Sequence, residues 1–198
     1  MAKSNVREKL IEAGLDNLHR RGFNGCGVQQ ITETAGVPKG SFYNHFESKE
    51  ALGAAVLDHY WRERAGSTLR ILAALDVRPI ERLRRYFAAM AAKMERRGYV
   101  GGCLIGNLGA ELSDQSELAR DGLNVIFARW TEAIESCIRD GQRRHEIRPD
   151  FDAPVLASFL INAWEGAILR AKVAKNGAPR DEFSEVVFRK LLLPPSTP

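Results

Sequence analysis

The sequence predicts an all-α protein. Two observations carry that expectation: no segment of the 198 residues shows strand-like alternation, and apolar residues recur at three- and four-residue spacing along nearly the whole chain. Ala, Leu, Arg and Glu dominate the segments between breaks. A hydrophobic fraction of 44% and a charged fraction of 27% fit an ordinary globular protein.

The first helix is expected over 6–21, where Ile11, Leu15 and Leu18 stand at i, i+4, i+7. Gly22 ends it, and Phe23 tucks into the same small core. A second helix over 28–35 buries Val28, Ile31 and Ala35. A third starts near Pro38, whose missing N–H suits the first helical position, and ends near Phe46. Ser48 is a good N-cap for the fourth, with Glu50 in its first turn, and this helix is expected to run through Trp61 toward Leu75.

Beyond the break at Asp76–Pro79, a helix to about Arg97 places Leu83, Phe87, Met90 and Met94 on one stripe. Gly98, Gly101 and Gly102 interrupt it, and a short helix follows over 104–112. Asp114 and Glu117 resemble a capping box for the next helix, which carries Leu123, Ile126, Phe127, Trp130, Ile134, Cys137 and Ile138. It stops near Arg144, with His145 in the left-handed position. A helix over 153–175 is apolar almost all round, which implies burial on several sides, and Asn176-Gly177 ends it. The last helix is expected over 181–193, and the tail 194–198 is expected to be mobile.

Residues 27–52 read as two short helices joined by a tight glycine-containing turn, then the start of a third: a helix-turn-helix. Its second helix is thin, because Gly40 and Ser41 let the backbone approach a groove. Lys39 supplies charge for phosphates. Tyr43 and His45 suit backbone contacts that fix register, while Ser41 and Asn44 suit base edges. Lys49 is expected to clamp another phosphate, and Gln29 on the preceding helix joins the DNA-facing set. Phe42 and Phe46 face inward. The implied partner is double-stranded DNA.

Charge adds little. The net value is +4, and residues 1–50 hold seven Lys/Arg against six Asp/Glu, so any basic face depends on spatial sorting. No apolar run approaches the roughly 18 residues of a membrane span, and the first residues lack a signal-peptide pattern. Three widely spaced cysteines make no disulfide framework, and no Cys/His spacing suggests a metal. A cytoplasmic protein without cofactor is expected.

The block from Ile31 to Leu52, ITETAGVPKGSFYNHFESKEAL, resembles the signature of the TetR family of bacterial regulators almost residue by residue, and Arg21-Gly22-Phe23 fits as well. The resemblance implies a three-helix DNA-binding domain over 1–50 and a ligand-binding and dimerisation domain over 51–193. It also implies a homodimer on a palindromic operator. Lys39, Ser41, Tyr43, His45 and Lys49 fall on family DNA-contact positions. Two departures stand out. Gly27 replaces the usual Thr or Ser that opens the second helix, and Asn44 occupies a variable position, so operator preference does not transfer.

The segment GGCLIGNLGAEL, Gly101 to Leu112, resembles a subgroup of these repressors that responds to small unsaturated acids, aldehydes and other electrophiles. Cys103 opens a helix, whose N-terminal partial charge favours thiolate. Lys172 matches a position where redox-responsive relatives carry a lysine. Two readings of Cys103 stand side by side: contact with an effector, or a small packing residue. Cys26 and Cys137 read as structural. Phe87, Met90, Phe127, Trp130 and Trp164 either line an effector pocket or form core, and Asn107 and Glu165 are the polar candidates for orienting a ligand. The small residues Ala157, Ala163, Gly166, Ala167 and Ala171 would let the helices of two subunits approach closely. The function implied is a repressor released by a small-molecule effector. The competing readings are a ligand-independent DNA-organising protein and an enzyme with Cys103 as nucleophile; the latter lacks any Cys-His-Asn pattern.

Overall fold

The computed structural model describes residues 5–194, and the expected mobile tail beyond Pro194 lies outside them. The described residues are α-helical with no strand. The helices are α1 (Val6–Arg21), α2 (Val28–Ala35), α3 (Lys39–Tyr43), α4 (Lys49–His59), α5 (Gly66–Leu69), α6 (Pro79–Arg96), α7 (Leu104–Leu112), α8 (Glu117–Arg143), α9 (Ala153–Ala174) and α10 (Ala178–Val186). π-helical turns follow α4 over Tyr60–Ala65 and α10 over Val187–Leu191. The chain forms two compact units: Met1–Arg64 with Cys103–Ile126, and Ala65–Gly102 with Phe127–Pro198. The N-terminal helices thus share a unit with α7 and the first part of α8.

In the first unit, Leu10, Ile11, Leu15 and Leu18 of α1 are buried, as are Ile31, Phe42, Leu52 and Val56 of α2, α3 and α4. Gly14 permits the α1–α4 approach: a Cβ there would lie 3.0 Å from Val56 and 3.2 Å from Leu52. Asn5 caps α1 by accepting from the Arg7 amide at 3.2 Å, and Ser48 caps α4 by accepting from Ala51 at 3.1 Å. One stripe of α7, Leu104, Ile105, Leu108 and Leu112, is buried.

The second unit is built around aromatic rings. Phe87 of α6 meets Trp164 at 5.2 Å and Phe183 at 4.9 Å, and Trp164 meets Phe183 at 5.3 Å. Arg82, only 2% exposed, donates to the Leu72 carbonyl at 3.0 Å and pairs with Asp140. Burial pushes the Asp140 carboxyl up, but Arg82 and Arg144 outweigh it and hold the group below its ordinary value. The buried Cys137 thiol donates to the Pro79 carbonyl at 3.4 Å, and burial pushes it up to about 11.

Several boundaries differ from the sequence expectation, each for a local reason. Pro38 is extended (ψ 142°) and its carbonyl accepts from Ser41 at 2.9 Å, so it caps α3 from outside the helix. The helix after Ser48 does not reach Leu75. α4 passes into the π-helical turns, α5 ends at Leu69, and beyond it the Ile71, Leu72 and Ala73 amides bond three residues back, to Thr68, Leu69 and Arg70, while Arg82 takes the Leu72 carbonyl. Ser116, not Asp114, caps α8, with its Oγ accepting from Ala119 at 3.2 Å. Asp114 lies in a turn closed by Gln115 and Ser116 amides on the Leu112 carbonyl. The last helix begins three residues early because the Asn176 side chain accepts from the Ala178 amide at 3.0 Å. His145 adopts φ 57° as expected, and Lys175, at φ 55°, supplies the left-handed residue after α9.

Candidate functional site

The helix-turn-helix is assembled by backbone geometry and two rings. Gly36 at φ 65° ends α2, and the Val37 amide donates back to the Thr32 carbonyl at 3.0 Å. A side chain with Cβ is strained at that φ, which is why glycine makes the turn. Phe42 (0% exposed) and Phe46 (5%) anchor α3, their centroids 5.7 Å apart. The rest of the segment then turns outward: Lys39, Gly40, Tyr43, Asn44 and His45 are exposed, and Ser41 is half-buried. No acidic residue lies between Lys39 and Phe46. A Cβ on Gly40 would meet nothing within 4 Å, so this face is thin and open. Gln29 is exposed on α2 and donates to Glu33 at 3.0 Å.

Lys49 departs from the expected phosphate clamp. Its ammonium turns inward, donating to the Phe23 carbonyl at 2.9 Å and the Cys26 carbonyl at 3.0 Å, and sits 4.1 Å from the centre of the Phe23 ring. Two of its three N–H bonds hold the loop between α1 and α2. That loop also buries Cys26, whose thiol is pushed up by burial against the pull of Lys49 and Arg21. At Gly27 the lost side-chain cap is replaced from inside the helix, where Gln30 Oε1 accepts from the Gly27 amide at 3.1 Å.

Asn17 was not among the sequence candidates. It is 6% exposed and donates to the Ala13 carbonyl and to Thr34 Oγ1, both at 2.9 Å, fastening α1 to α2. The available signal was an amide interrupting the apolar series of α1 beside Leu18.

The candidate effector residues divide between the units. In the first, Cys103 is extended (φ −90°, ψ 123°) at the N-cap of α7, preceded by Gly101 at φ 85° and Gly102 at φ 70°. Its carbonyl accepts from Asn107 at 3.0 Å, and both residues are half-buried. In the second unit, Phe87 and Trp164 are packed into the aromatic cluster. Met90, Phe127, Glu165 and Lys172 are half-buried. Trp130 is 3% exposed and stacked on Phe127 at 6.3 Å; its Nε1–H meets no acceptor among the described residues. No group of three His, Cys, Asp or Glu side chains among the described residues is placed to hold a metal. No helix among them is long and apolar enough to cross a membrane.

Comparison with known proteins agrees with this geometry. Residues 10–56 match the family of bacterial regulatory proteins of the tetR type, and residues 79–187 match the tetracyclin repressor-like C-terminal domain. The chain is 45% identical over 197 residues to the HTH-type transcriptional repressor DhaR of Mycobacterium sp. (strain GP1), covering all of this chain and 96% of that protein. The crystal structure of regulatory protein TetR from Rhodobacter sphaeroides superposes with a TM-score of 0.88 at 33% identity, covering 94% of this chain and 98% of that one. The reduced form of E. coli NemR superposes with a TM-score of 0.87 at 27% identity, covering 98% and 100%. The thin polar face of α3, its aromatic anchors and these matches over nearly the whole chain together show that the protein belongs to the tetR family of bacterial regulatory proteins.

Proposed function

We propose that this chain is a transcriptional repressor that binds a palindromic operator as a homodimer and leaves it when a small molecule binds. The observation that carries the reading is the exposed, acid-free face of α3, held out by Phe42 and Phe46. Relatives named as repressors, DhaR among them, support the sign of regulation.

The dimer reading is supported by α9. Val155 (58% exposed), Phe159 (51%), Leu169 (59%) and Val173 (78%) are exposed, with Asn162 and Gly166 exposed between them. Their spacing of 4, 3, 4, 3 and 4 residues makes a continuous stripe on one helix, and Val186 of α10 adds to the apolar surface. A stripe of that kind is self-complementary across a two-fold axis. Ala157, Ala167 and Ala171, expected at the dimer contact, are instead buried in the protomer's own unit.

The effector reading is supported by the half-buried Cys103 at the start of α7 and by the buried Trp130 N–H. An N–H buried without an acceptor costs about 1–3 kcal/mol, which a ligand oxygen would recover. Cys103 and Asn107 in the first unit, with Trp130, Glu165 and Lys172 in the second, are the residues we assign to effector response. Release requires only that the effector prefer the non-binding state, and a preference of about 1–3 kcal/mol gives the usual range of coupling.

Footprinting and sedimentation on the DNA upstream of the gene test the reading. The expected result is a protected palindrome, its half-sites about 34 Å apart or a multiple of that, carrying dimers. Acrylate-like electrophiles should release wild type and not Cys103→Ser. Absence of any protected site sinks the repressor. Release that is unchanged in Cys103→Ser removes the cysteine from the response and leaves the repressor standing.

A further inference from the structure

Between α1 and α2 the chain must turn within a short loop and enter α2 at Gly27, a residue that brings no capping side chain. What fixes this loop comes from outside it. The Asn24 amide donates to Glu111 Oε2 at 2.8 Å, across 87 residues of sequence. Gly22 lies beneath the same carboxylate: at φ 78° its absent Cβ leaves room for Glu111 Oε1, which a Cβ would approach to 2.5 Å. On the other side the Lys49 ammonium holds the carbonyls of Phe23 and Cys26. One anchor accepts from the loop and the other donates to it, so their polarity matches the backbone groups they hold.

We propose that Glu111 is a positioning residue for the helix-turn-helix: its carboxylate holds the α1–α2 loop, and with it the entry of α2, in the register that presents α3. The inference rests on the DNA-binding reading and does not need Cys103 to be a sensor. It makes α7 the carrier of that anchor. Nine residues of α7 extend about 13 Å at 1.5 Å per residue. Its buried stripe of Leu104, Ile105, Leu108 and Leu112 seats it in the core of the first unit. Leu112 sits beside Gly53 together with Phe23: a Cβ at Gly53 would lie 3.8 Å from Leu112 and 3.4 Å from Phe23. Cys103 stands at one end of this helix and Glu111 near the other, so one buried element carries both.

The test uses the full-length protein with Glu111→Ala and Glu111→Gln. Three quantities are measured: affinity for the upstream DNA fragment that wild type protects, amide exchange of the peptide spanning 22–27, and the melting temperature. Loss of this solvent-exposed hydrogen bond predicts roughly five- to tenfold weaker DNA binding for Glu111→Ala, with faster exchange in 22–27 and a folded protein. Glu111→Gln keeps an acceptor oxygen and is expected to recover most of both. Glu111→Ala that binds DNA as tightly as wild type, with exchange unchanged, overturns the proposal. So does a loss of affinity that tracks general unfolding and is not recovered by Glu111→Gln. If wild type binds neither the upstream fragment nor any sequence selected from a random pool, the DNA reading fails, and exchange in 22–27 still decides whether Glu111 holds the loop.

Discussion

From Lys39 to Phe46 only Phe42 and Phe46 are fully buried, and the residues around them turn to solvent. Around Phe87 the proportions reverse: Leu83, Tyr86, Phe87, Trp164 and Phe183 are all buried, and the polar group among them, Arg82, is paired with Asp140. The first arrangement uses the least core that can hold a five-residue helix, so that its polar side chains stay available to a partner. The second uses its side chains on one another. A face left open to an external partner is therefore a local matter, whereas the aromatic core of the second unit is distributed over α6, α9 and α10.

The largest expected effect separates stability from recognition. Phe87 is 1% exposed and meets four other rings, at Tyr86, Trp164, Phe183 and Phe188. Phe87→Ala should cost about 3–5 kcal/mol in denaturant unfolding. Asn44→Ala, at an exposed position, should move stability by no more than about 0.5 kcal/mol. It should still lose about 1–3 kcal/mol of discrimination between operator variants. If Asn44→Ala binds all variants in the wild-type order, base reading lies elsewhere on α3.

That contrast also explains what was legible in the sequence. The helix-turn-helix was readable because its determinants are contiguous: Gly36, Phe42, Phe46 and Ser48 each act on neighbours within a few residues. Helix existence was equally local. The inward turn of Lys49 was not readable, because the Phe23 and Cys26 carbonyls that capture it lie 26 and 23 residues earlier. Glu111 meets Asn24 across 87 residues, and no periodicity reports such a meeting. The aromatic residues of the second unit showed apolar spacing, which is the same whether a ring packs or lines a ligand site. The buried edge of Trp130 carries information on that point only because its surroundings are known.

A smaller effect is expected from pH, and it belongs to the second unit. Asp140 is held below its ordinary value by Arg82 and Arg144 despite its burial, and Asp150 is lowered by its bond to Arg148. A carboxyl with a lower value in the folded state stabilises the protein above the unfolded value, about 3.9, and loses that contribution as pH falls through the folded one. Thermal melts from pH 6 to 2.5 should therefore fall in acid. Asp140→Asn should be less stable at pH 6, because it leaves the buried Arg82 without its counter-charge, and should show a shallower acid limb. An acid limb as steep as wild type would assign the dependence to other carboxylates.

The smallest expected effect is the sharpest test of the comparison, because it concerns two lysines ten residues apart in one motif. Lys39 is exposed at the start of α3, and Lys49 is turned onto two carbonyls and a ring. If exposure decides the role, Lys39→Ala should leave the melting temperature unchanged and weaken every DNA sequence about equally. It should also reduce the salt dependence of binding by about one unit of slope, the loss of one phosphate contact. Lys49→Ala should do the reverse. It removes two charge-assisted hydrogen bonds from the α1–α2 loop, so stability falls first and the salt slope stays near wild type. A reduced salt slope in Lys49→Ala at unchanged stability would mean that the ammonium leaves the loop when DNA arrives. The loop would then be held through Glu111 alone in the bound state, and the two anchors would act in sequence and not together.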